Sequence, residues 1–312
     1  MTKGRRRRLT PPAPRKAIDP AAPPSLYELD SFSLADLERW HKSSDLLDEL
    51  YRELYFGFEI QRVARRDELL KALRGKAARP LDLSGWYRLV EYQYCLEPLS
   101  ARGSVTRYGG RFNMGAEVGS GAFGSFPALY IAEDLDTALR EYLQVSAATR
   151  TGGLTREDFA LKKPGGFLSA EVHGHFELVF DMGDVASLRP FAELIATFKV
   201  PPRVSRIARQ LRSPRANLIR TTGQLQRAVL AANWRAWPIQ FDVPSNSQVL
   251  GRLLYDAGYE AVVYPSTRNG KRCIAVFPTS LSDSQSFVAL SGNYPHSVSV
   301  PKLDAGSAVD CI

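Results

Sequence analysis

Three glycines in the stretch VGSGAFGSF, Gly119, Gly121 and Gly124, have the G-x-G-x-x-G spacing of loops that bind nucleotide phosphates. A dinucleotide site needs a helix directly after the glycines, whereas here Pro127 and the strand-like run ALYIA follow. The kinase signatures VAIK, HRD and DFG and the P-loop signature GK[ST] are also missing from the sequence. The stretch is therefore expected to be a flexible surface loop, with gating of a pocket as the less favoured alternative.

Two histidines in EVHGHF, His173 and His175, are spaced so that they share one face of a strand. They could chelate a metal, but no third ligand accompanies them, so no metal site is predicted. Cys95, Cys273 and Cys311 lie far apart with no C-x-x-C pair. The sequence therefore predicts reduced cysteines and neither a zinc knuckle nor a disulfide framework.

The positive charge of the chain is concentrated at its N-terminus. The formal net charge is +8, and seven basic residues precede the first acidic residue, Asp19, so the rest of the chain is nearly neutral. Residues 1–24 are expected to form a disordered, Pro-rich basic tail. Contact with nucleic acid is expected only through this tail, and a merely solubilising tail is the alternative.

The 312 residues, 44% of them hydrophobic, can bury a sizeable core. No apolar run approaches the roughly 20 residues of a membrane span, and the N-terminus lacks the apolar stretch of a signal peptide. The sequence thus predicts a protein without membrane contact, and the cytoplasm is the expected location.

The predicted secondary structure divides the chain into distinct regions. Residues 25–80 show apolar residues at helical spacing and predict a small helical appendage. Residues 81–286 alternate short strands with helices and predict the main domain, and 287–312 predict a C-terminal tail. The predicted helices of the domain are DLDTALREYLQV and SNSQVLGRLLYDAG; the strands are GWYRLVEY, PALYIA, FELVFDM, EAVVYPS and CIAVFP.

Four motifs occur in a fixed order along this domain: YRLV at 87–90, GGRFN at 109–113, PALYIAEDLDTALREYL at 127–143 and AGYEAVVYPSTRNGKRCIAVFP at 257–278. Over residues 81–286 this series resembles the RES-domain family. The resemblance implies an α+β fold with a mixed, ADP-ribosyltransferase-like β-sheet core and flanking helices. It also implies a bacterial toxin that acts on NAD⁺ as substrate, is encoded beside an Xre-type antitoxin and needs no metal.

The resemblance assigns five residues to the site. The arginine, glutamate and serine of the family fall on Arg88, Glu141 and Ser266 as catalytic residues, and Arg88, Arg111 and Tyr130 are implied to bind NAD⁺. Their chemistry suits cleavage of the nicotinamide–ribose bond, because a carboxylate stabilises the developing ribosyl cation and guanidinium groups bind the pyrophosphate. The sequence departs from the family after GGR, where Trp-Asn-Pro is replaced by Phe112, Asn113 and Met114.

The sequence leaves several alternative functions open. The reaction could be phosphorolysis, hydrolysis or transfer of ADP-ribose to a protein. Taken singly, Arg88 and Arg111 could be surface ion-pair partners, and Glu141 could be a solvated helix residue. Tyr130 could be a core residue, and Ser266 could cap a turn. The protein could then be a non-catalytic binding module that acts through its basic tail. The sequence also leaves open whether the chain forms a homo-oligomer.

Overall fold

The chain divides into two compact units, residues 1–42 and 43–312. Residues 34–42 of the first unit are helical, and the predicted tail over 1–24 lies outside the described residues, as does Cys311. No helix in the described parts has the length and apolar character of a membrane span. The computed structural model describes residues 34–74, 78–144, 166–211 and 218–308.

Helices and strands occur in separate runs along the described chain and the sheet is mostly antiparallel, which gives the predicted α+β class. The helices are α1 (Leu34–Ala64), α2 (Arg66–Arg74), α3 (Leu135–Leu143), α4 (Arg189–Ile195), α5 (Pro202–Gln210), α6 (Thr222–Val229), α7 (Ala236–Phe241) and α8 (Asn246–Asp256). The strands are β1 (Ala78–Glu91), β2 (Leu129–Ala132), β3 (Phe167–Asp181), β4 (Ala261–Pro265), β5 (Arg272–Val276), β6 (Phe287–Leu290) and β7 (Lys302–Leu303).

The strands form one mixed sheet in the order β1-β2-β5-β4-β3-β6-β7. Strand β1 also pairs with β3, so the pairings of β1, β2, β5, β4 and β3 close into a ring. The β3–β4 pair is parallel, and the other described pairs are antiparallel. The long strand β3 pairs with β1 along almost its whole length, from Phe167 to Phe180. It also pairs with β6 over residues 172–175 and with β4 over residues 179–181.

Strand β1 begins well before the predicted strand GWYRLVEY. Pro80 and Gly85 are typical strand breakers, and both lie where the register between β1 and β3 shifts. Such bulges let a strand continue past a residue that cannot join the regular ladder. The strand therefore extends from Ala78 to Glu91.

Side-chain alternation gives the sheet two different faces. On β4 and β5, Tyr264 and Cys273 belong to the cluster covered by the helices, whereas Val263 and Ile274 belong to the cluster on the opposite face. Tyr130 of β2 packs against the helix-covered cluster as well. Three side chains from neighbouring strands thus point to the side where α3 and α8 lie.

Residues 43–74 of the predicted helical appendage belong to the second unit and pack within it. Leu50 of α1 is buried with Ile207 of α5, and Leu69 and Leu73 of α2 are fully buried in the helix-covered core. At the other end of the chain, residues 287–308 are also packed, since β6 pairs with β3 and carries β7 along its outer edge. Both terminal regions therefore contribute to the hydrophobic clusters.

Candidate active site

Helix α3 carries Glu141 and is fixed at both ends. Asp134 is its N-cap, and its Oδ1 accepts a hydrogen bond of 2.7 Å from the backbone N–H of Thr137. Burial acts to raise the pKa of Asp134, but hydrogen bonds from Lys271 and Thr137 outweigh it and lower that pKa. At the other end, Gln144 adopts a left-handed conformation (φ 59°) and stops the helix. Glu141 therefore lies one turn before a sharply defined helix end.

Ser266, another predicted catalytic residue, lies directly after strand β4 and contacts Glu141. Its Oγ donates a hydrogen bond of 2.5 Å to Glu141 Oε1 and accepts one of 3.1 Å from the backbone N–H of Arg268. The turn is closed by a hydrogen bond of 2.8 Å from Gly270 N to the Ser266 carbonyl, with Gly270 at φ +80°. The β4–β5 turn thus holds the serine hydroxyl against the carboxylate.

The GGRFN segment is built around Tyr130. The Tyr130 hydroxyl accepts a hydrogen bond of 2.9 Å from Phe112 N and donates one of 2.8 Å to Asn113 Oδ1. A Cβ at position 110 would lie 2.4 Å from that hydroxyl, so only glycine fits there. Gln248 Nε2 on α8 donates to the carbonyl of Tyr108 at 2.7 Å and holds the segment from behind. Burial raises the pKa of Tyr130, which keeps the phenol neutral.

Arg111, the predicted second arginine, is buried with only 7% of its surface exposed. Its Nη1 donates to the Ala231 carbonyl at 2.9 Å and to the Val229 carbonyl at 3.4 Å, and its Nη2 donates to Thr267 Oγ1 at 3.4 Å. Burial lowers the pKa of Arg111, but a guanidinium stays charged at any physiological pH. Arg111 therefore places a permanent positive charge at the wall of the site.

Arg88, the predicted catalytic arginine, binds backbone. Its Nε donates to the Pro98 carbonyl at 2.6 Å, its Nη2 to the Ser100 carbonyl at 2.8 Å and its Nη1 to the Tyr130 carbonyl at 3.1 Å. These bonds connect β1 to the loop over 98–100 and to the strand that carries Tyr130. The guanidinium lines the site, but its contacts make it a clamp between three chain segments.

A further group of residues at the site was not identified from the sequence. Arg235 lies over the ring of the buried Trp234, 4.6 Å from its centroid, and Arg111 approaches the same ring to 5.8 Å. Gln144 Oε1 accepts hydrogen bonds from Arg235 Nη1 at 2.8 Å and from Arg268 Nη2 at 2.6 Å. Partial desolvation, and then the charges of Arg111 and Arg268, lower the pKa of Arg235.

Most of these side chains line a cavity of about 200 Å³, whereas Ser266 and Arg268 are not among its described lining residues. Burial raises the pKa values of Tyr264 and Cys273 at its base, so both are neutral at physiological pH. Glu141 is the one carboxylate among the described residues that line it. The cavity thus combines one negative charge with positive charge on its walls. Its principal lining residues are Arg88, Arg111, Tyr130, Glu141, Trp234 and Arg235.

The glycine stretch and the histidines lie apart from this cavity. Gly119 N donates to Asp242 Oδ1 at 2.8 Å, and Phe123 packs against Tyr55 of α1 with ring centroids 5.2 Å apart. None of the described lining residues of the cavity comes from this loop. His175 pairs with Asp82 at 2.7 Å and His173 with Ser291 at 3.2 Å. The described residues contain no cluster of three His, Cys, Asp or Glu side chains suited to a metal.

Three comparisons relate the chain to known proteins, and the match to a protein-family model defines its family. A chain in the crystal structure of the M. tuberculosis MbcT–MbcA toxin–antitoxin complex is 14% identical, with a TM-score of 0.41 over 78% of this chain and 96% of that one. No curated protein matches the sequence. A family model described as RES domain matches residues 86–296. The chain therefore belongs to the RES-domain family.

Proposed function

We propose that the protein cleaves the bond between nicotinamide and ribose in NAD⁺. The observation that carries this proposal is the position of Glu141, whose carboxylate is held by Ser266 at 2.5 Å inside a cavity with arginines on its walls. NAD⁺ carries a cationic nicotinamide ring and an anionic pyrophosphate, so the carboxylate and the arginines of the cavity complement both charges. A neutral tyrosine, Tyr130, adds a flat aromatic surface beside them.

The reaction breaks the bond between ribose C1′ and the nicotinamide nitrogen, and the electron pair of that bond leaves with neutral nicotinamide. Positive charge then develops on the ribose, where a fixed carboxylate stabilises it more than it stabilises the ground state. Glu141 is assigned this role. Ser266 orients the carboxylate through its hydrogen bond, and an acceptor oxygen completes the reaction by attacking C1′.

The arginines divide the remaining work. Arg111 supplies a buried positive charge at the wall of the cavity, where low solvent exposure strengthens its attraction for a phosphate. Arg88 is assigned a positioning role, because three of its hydrogen bonds hold backbone carbonyls of the site in place. This assignment differs from the pyrophosphate anchor expected from the motif alone.

Membership of the RES-domain family supports a toxin role, in which loss of cellular NAD⁺ arrests growth. An antitoxin of the Xre type is the proposed partner, and binding of that partner would restrain the activity. Growth of cells that express the chain alone, compared with cells that co-express a candidate antitoxin, tests this part of the proposal.

The reaction itself is tested by mixing purified full-length protein with NAD⁺, with and without inorganic phosphate, and measuring nicotinamide release. Phosphate-dependent release with ADP-ribose 1″-phosphate as product indicates phosphorolysis, and free ADP-ribose indicates hydrolysis. Release that requires an added protein, with ADP-ribose attached to that protein, indicates a transferase. No release under any of these conditions would contradict the proposed function.

A further inference from the structure

Arg235 lies at the rim of the cavity, directly before α7. Its side chain is exposed, stacked on Trp234 at 4.6 Å and hydrogen-bonded to Gln144 Oε1 at 2.8 Å. The stacking and the hydrogen bond fix the plane of the guanidinium, while its exposure leaves it open to a ligand. A planar, pre-oriented guanidinium is the group that binds phosphate in a bidentate manner.

The partners of the other arginines contrast with those of Arg235. Arg88 and Arg111 direct their donors mainly to backbone carbonyls, whereas Arg235 and Arg268 converge on one neutral amide oxygen of Gln144. Among the described residues, Arg268 Nε is buried and has no hydrogen-bond partner. Three guanidinium groups, those of Arg111, Arg235 and Arg268, thus influence one another near a single carboxylate. Such an excess of positive charge favours an anionic ligand.

The backbone at Gln144 provides a second observation. A left-handed conformation is adopted most easily by glycine, and a glutamine there costs conformational energy. The Gln144 side chain contributes to the site, because its Oε1 accepts hydrogen bonds from both Arg235 and Arg268. Gln144 also follows Glu141 by one helical turn. A single helix end therefore fixes the distance between the carboxylate and the arginine pair.

We propose that Arg235 binds the substrate phosphate nearest the cleaved bond, that is, the phosphate esterified to the nicotinamide-bearing ribose. This inference rests on the proposed function and names the group that the site recognises beyond the reacting sugar. The cavity takes the nicotinamide riboside end, and the phosphate lies at its rim on Arg235. Arg268 supports Arg235 through their shared contact with Gln144.

Substrate truncation tests the inference. Nicotinamide mononucleotide carries this phosphate and nicotinamide riboside lacks it, so kcat/KM for nicotinamide release is measured with both. The wild-type ratio, mononucleotide over riboside, is expected to be about 10 to 100, the usual size of a charged hydrogen bond. Arg235→Ala is expected to bring the ratio close to one, and Arg235→Lys to an intermediate value. A ratio in Arg235→Ala equal to that of wild type would overturn the inference.

Arg189→Ala is the matched control, because it also removes one exposed guanidinium, which pairs with Glu193 on α4. It should keep the wild-type ratio. If wild-type protein releases nicotinamide from no compound, the proposed function fails, and calorimetry with inorganic pyrophosphate then tests the phosphate site alone. Binding that weakens at least about tenfold in Arg235→Ala but not in Arg189→Ala supports the site. Equal binding by both variants, or no binding by wild type, overturns it.

Discussion

Ser266 Oγ and Glu141 Oε1 are joined by a hydrogen bond of 2.5 Å, although 125 positions of the sequence separate the two residues. Glu141 is fixed by the capped helix α3, and Ser266 is fixed by the turn between β4 and β5. Helix α3 and the β4–β5 turn are also joined by the contact of Lys271 with the N-cap Asp134, and they meet at one carboxylate. This arrangement lets the carboxylate keep its orientation while charge develops on a substrate.

The first prediction concerns that hydrogen bond. Ser266→Ala removes the hydroxyl and leaves Glu141 without its oriented donor, so kcat for nicotinamide release should fall about tenfold, the usual worth of one hydrogen bond to a charged group. Steady-state kinetics with NAD⁺ measure the effect, and Ser282→Ala, which removes an exposed hydroxyl bonded to the Thr279 carbonyl, serves as control. An unchanged kcat in Ser266→Ala would remove the positioning role of Ser266.

The second prediction separates a clamp from a substrate contact at Arg88. Arg88→Ala leaves the carbonyls of Pro98, Ser100 and Tyr130 without this donor, so the free energy of unfolding should fall by about 3 kcal/mol. Arg88→Lys cannot reach all three carbonyls and should recover only part of the loss. Chemical denaturation measures the stability. Wild-type stability together with weaker NAD⁺ binding would instead support the pyrophosphate anchor expected from the sequence.

The third prediction concerns the cap of the helix that carries Glu141. Asp134→Ala should cost about 1 kcal/mol of stability, and Asp134→Asn should cost less because asparagine also caps helices. The pKa of Asp134 is lower in the folded state than in the unfolded state, so its ionised form stabilises the fold above the unfolded pKa. That contribution is lost as the pH falls through the folded pKa. The free energies of unfolding of wild type and Asp134→Asn should therefore converge as the pH falls. A difference between them that stays constant with pH would contradict the stabilising role of the ionised Asp134.

The fourth prediction connects α1 to the cavity. Tyr51 stacks on Phe241 with ring centroids 3.9 Å apart and meets Trp237 edge-on at 5.0 Å, and both partners lie on α7, directly after Arg235. Tyr51→Ala should lower the free energy of unfolding by about 2 kcal/mol and should also raise KM for NAD⁺ severalfold. Kinetics well below the melting temperature, with Leu47→Ala on the same helix as control, separate the two effects. A loss of stability with an unchanged KM would restrict Tyr51 to packing.

The sequence predicted those parts of the fold that depend on local patterns. The helix over 246–256 is present with the expected Ser245 cap, and the positive φ of Gly258 follows it. Strand β1 was predicted too short, because Pro80 and Gly85 are residue types that usually end a strand. Only the pairing with β3 shows that both lie at bulges within the strand. Short helices such as α7, six residues with an internal proline, carry no readable periodicity.

At the site, too, only those features that depend on local sequence patterns could be predicted. The motif series names both Ser266 and Glu141, but residue types alone left open whether the serine hydroxyl would contact the carboxylate or the leaving group. The contacts of Arg88 could not be predicted, because its partners are backbone carbonyls and these leave no trace in residue types. Trp234 and Arg235 were missed because they lie between short helices, in a region without a motif, and only the tertiary fold brings them to Glu141.

The substitution Glu141→Gln tests whether the Glu141 carboxylate stabilises the developing ribosyl cation. The substitution is nearly isosteric and keeps an oxygen that can accept from Ser266, so the melting temperature and NAD⁺ affinity should stay close to those of wild type. Loss of a preorganised electrostatic contact should lower nicotinamide release by about 10² to 10³-fold. The decisive measurement is single-turnover nicotinamide release from saturating NAD⁺ by both proteins. Release by Glu141→Gln at the wild-type rate would show that the Glu141 carboxylate has no catalytic role.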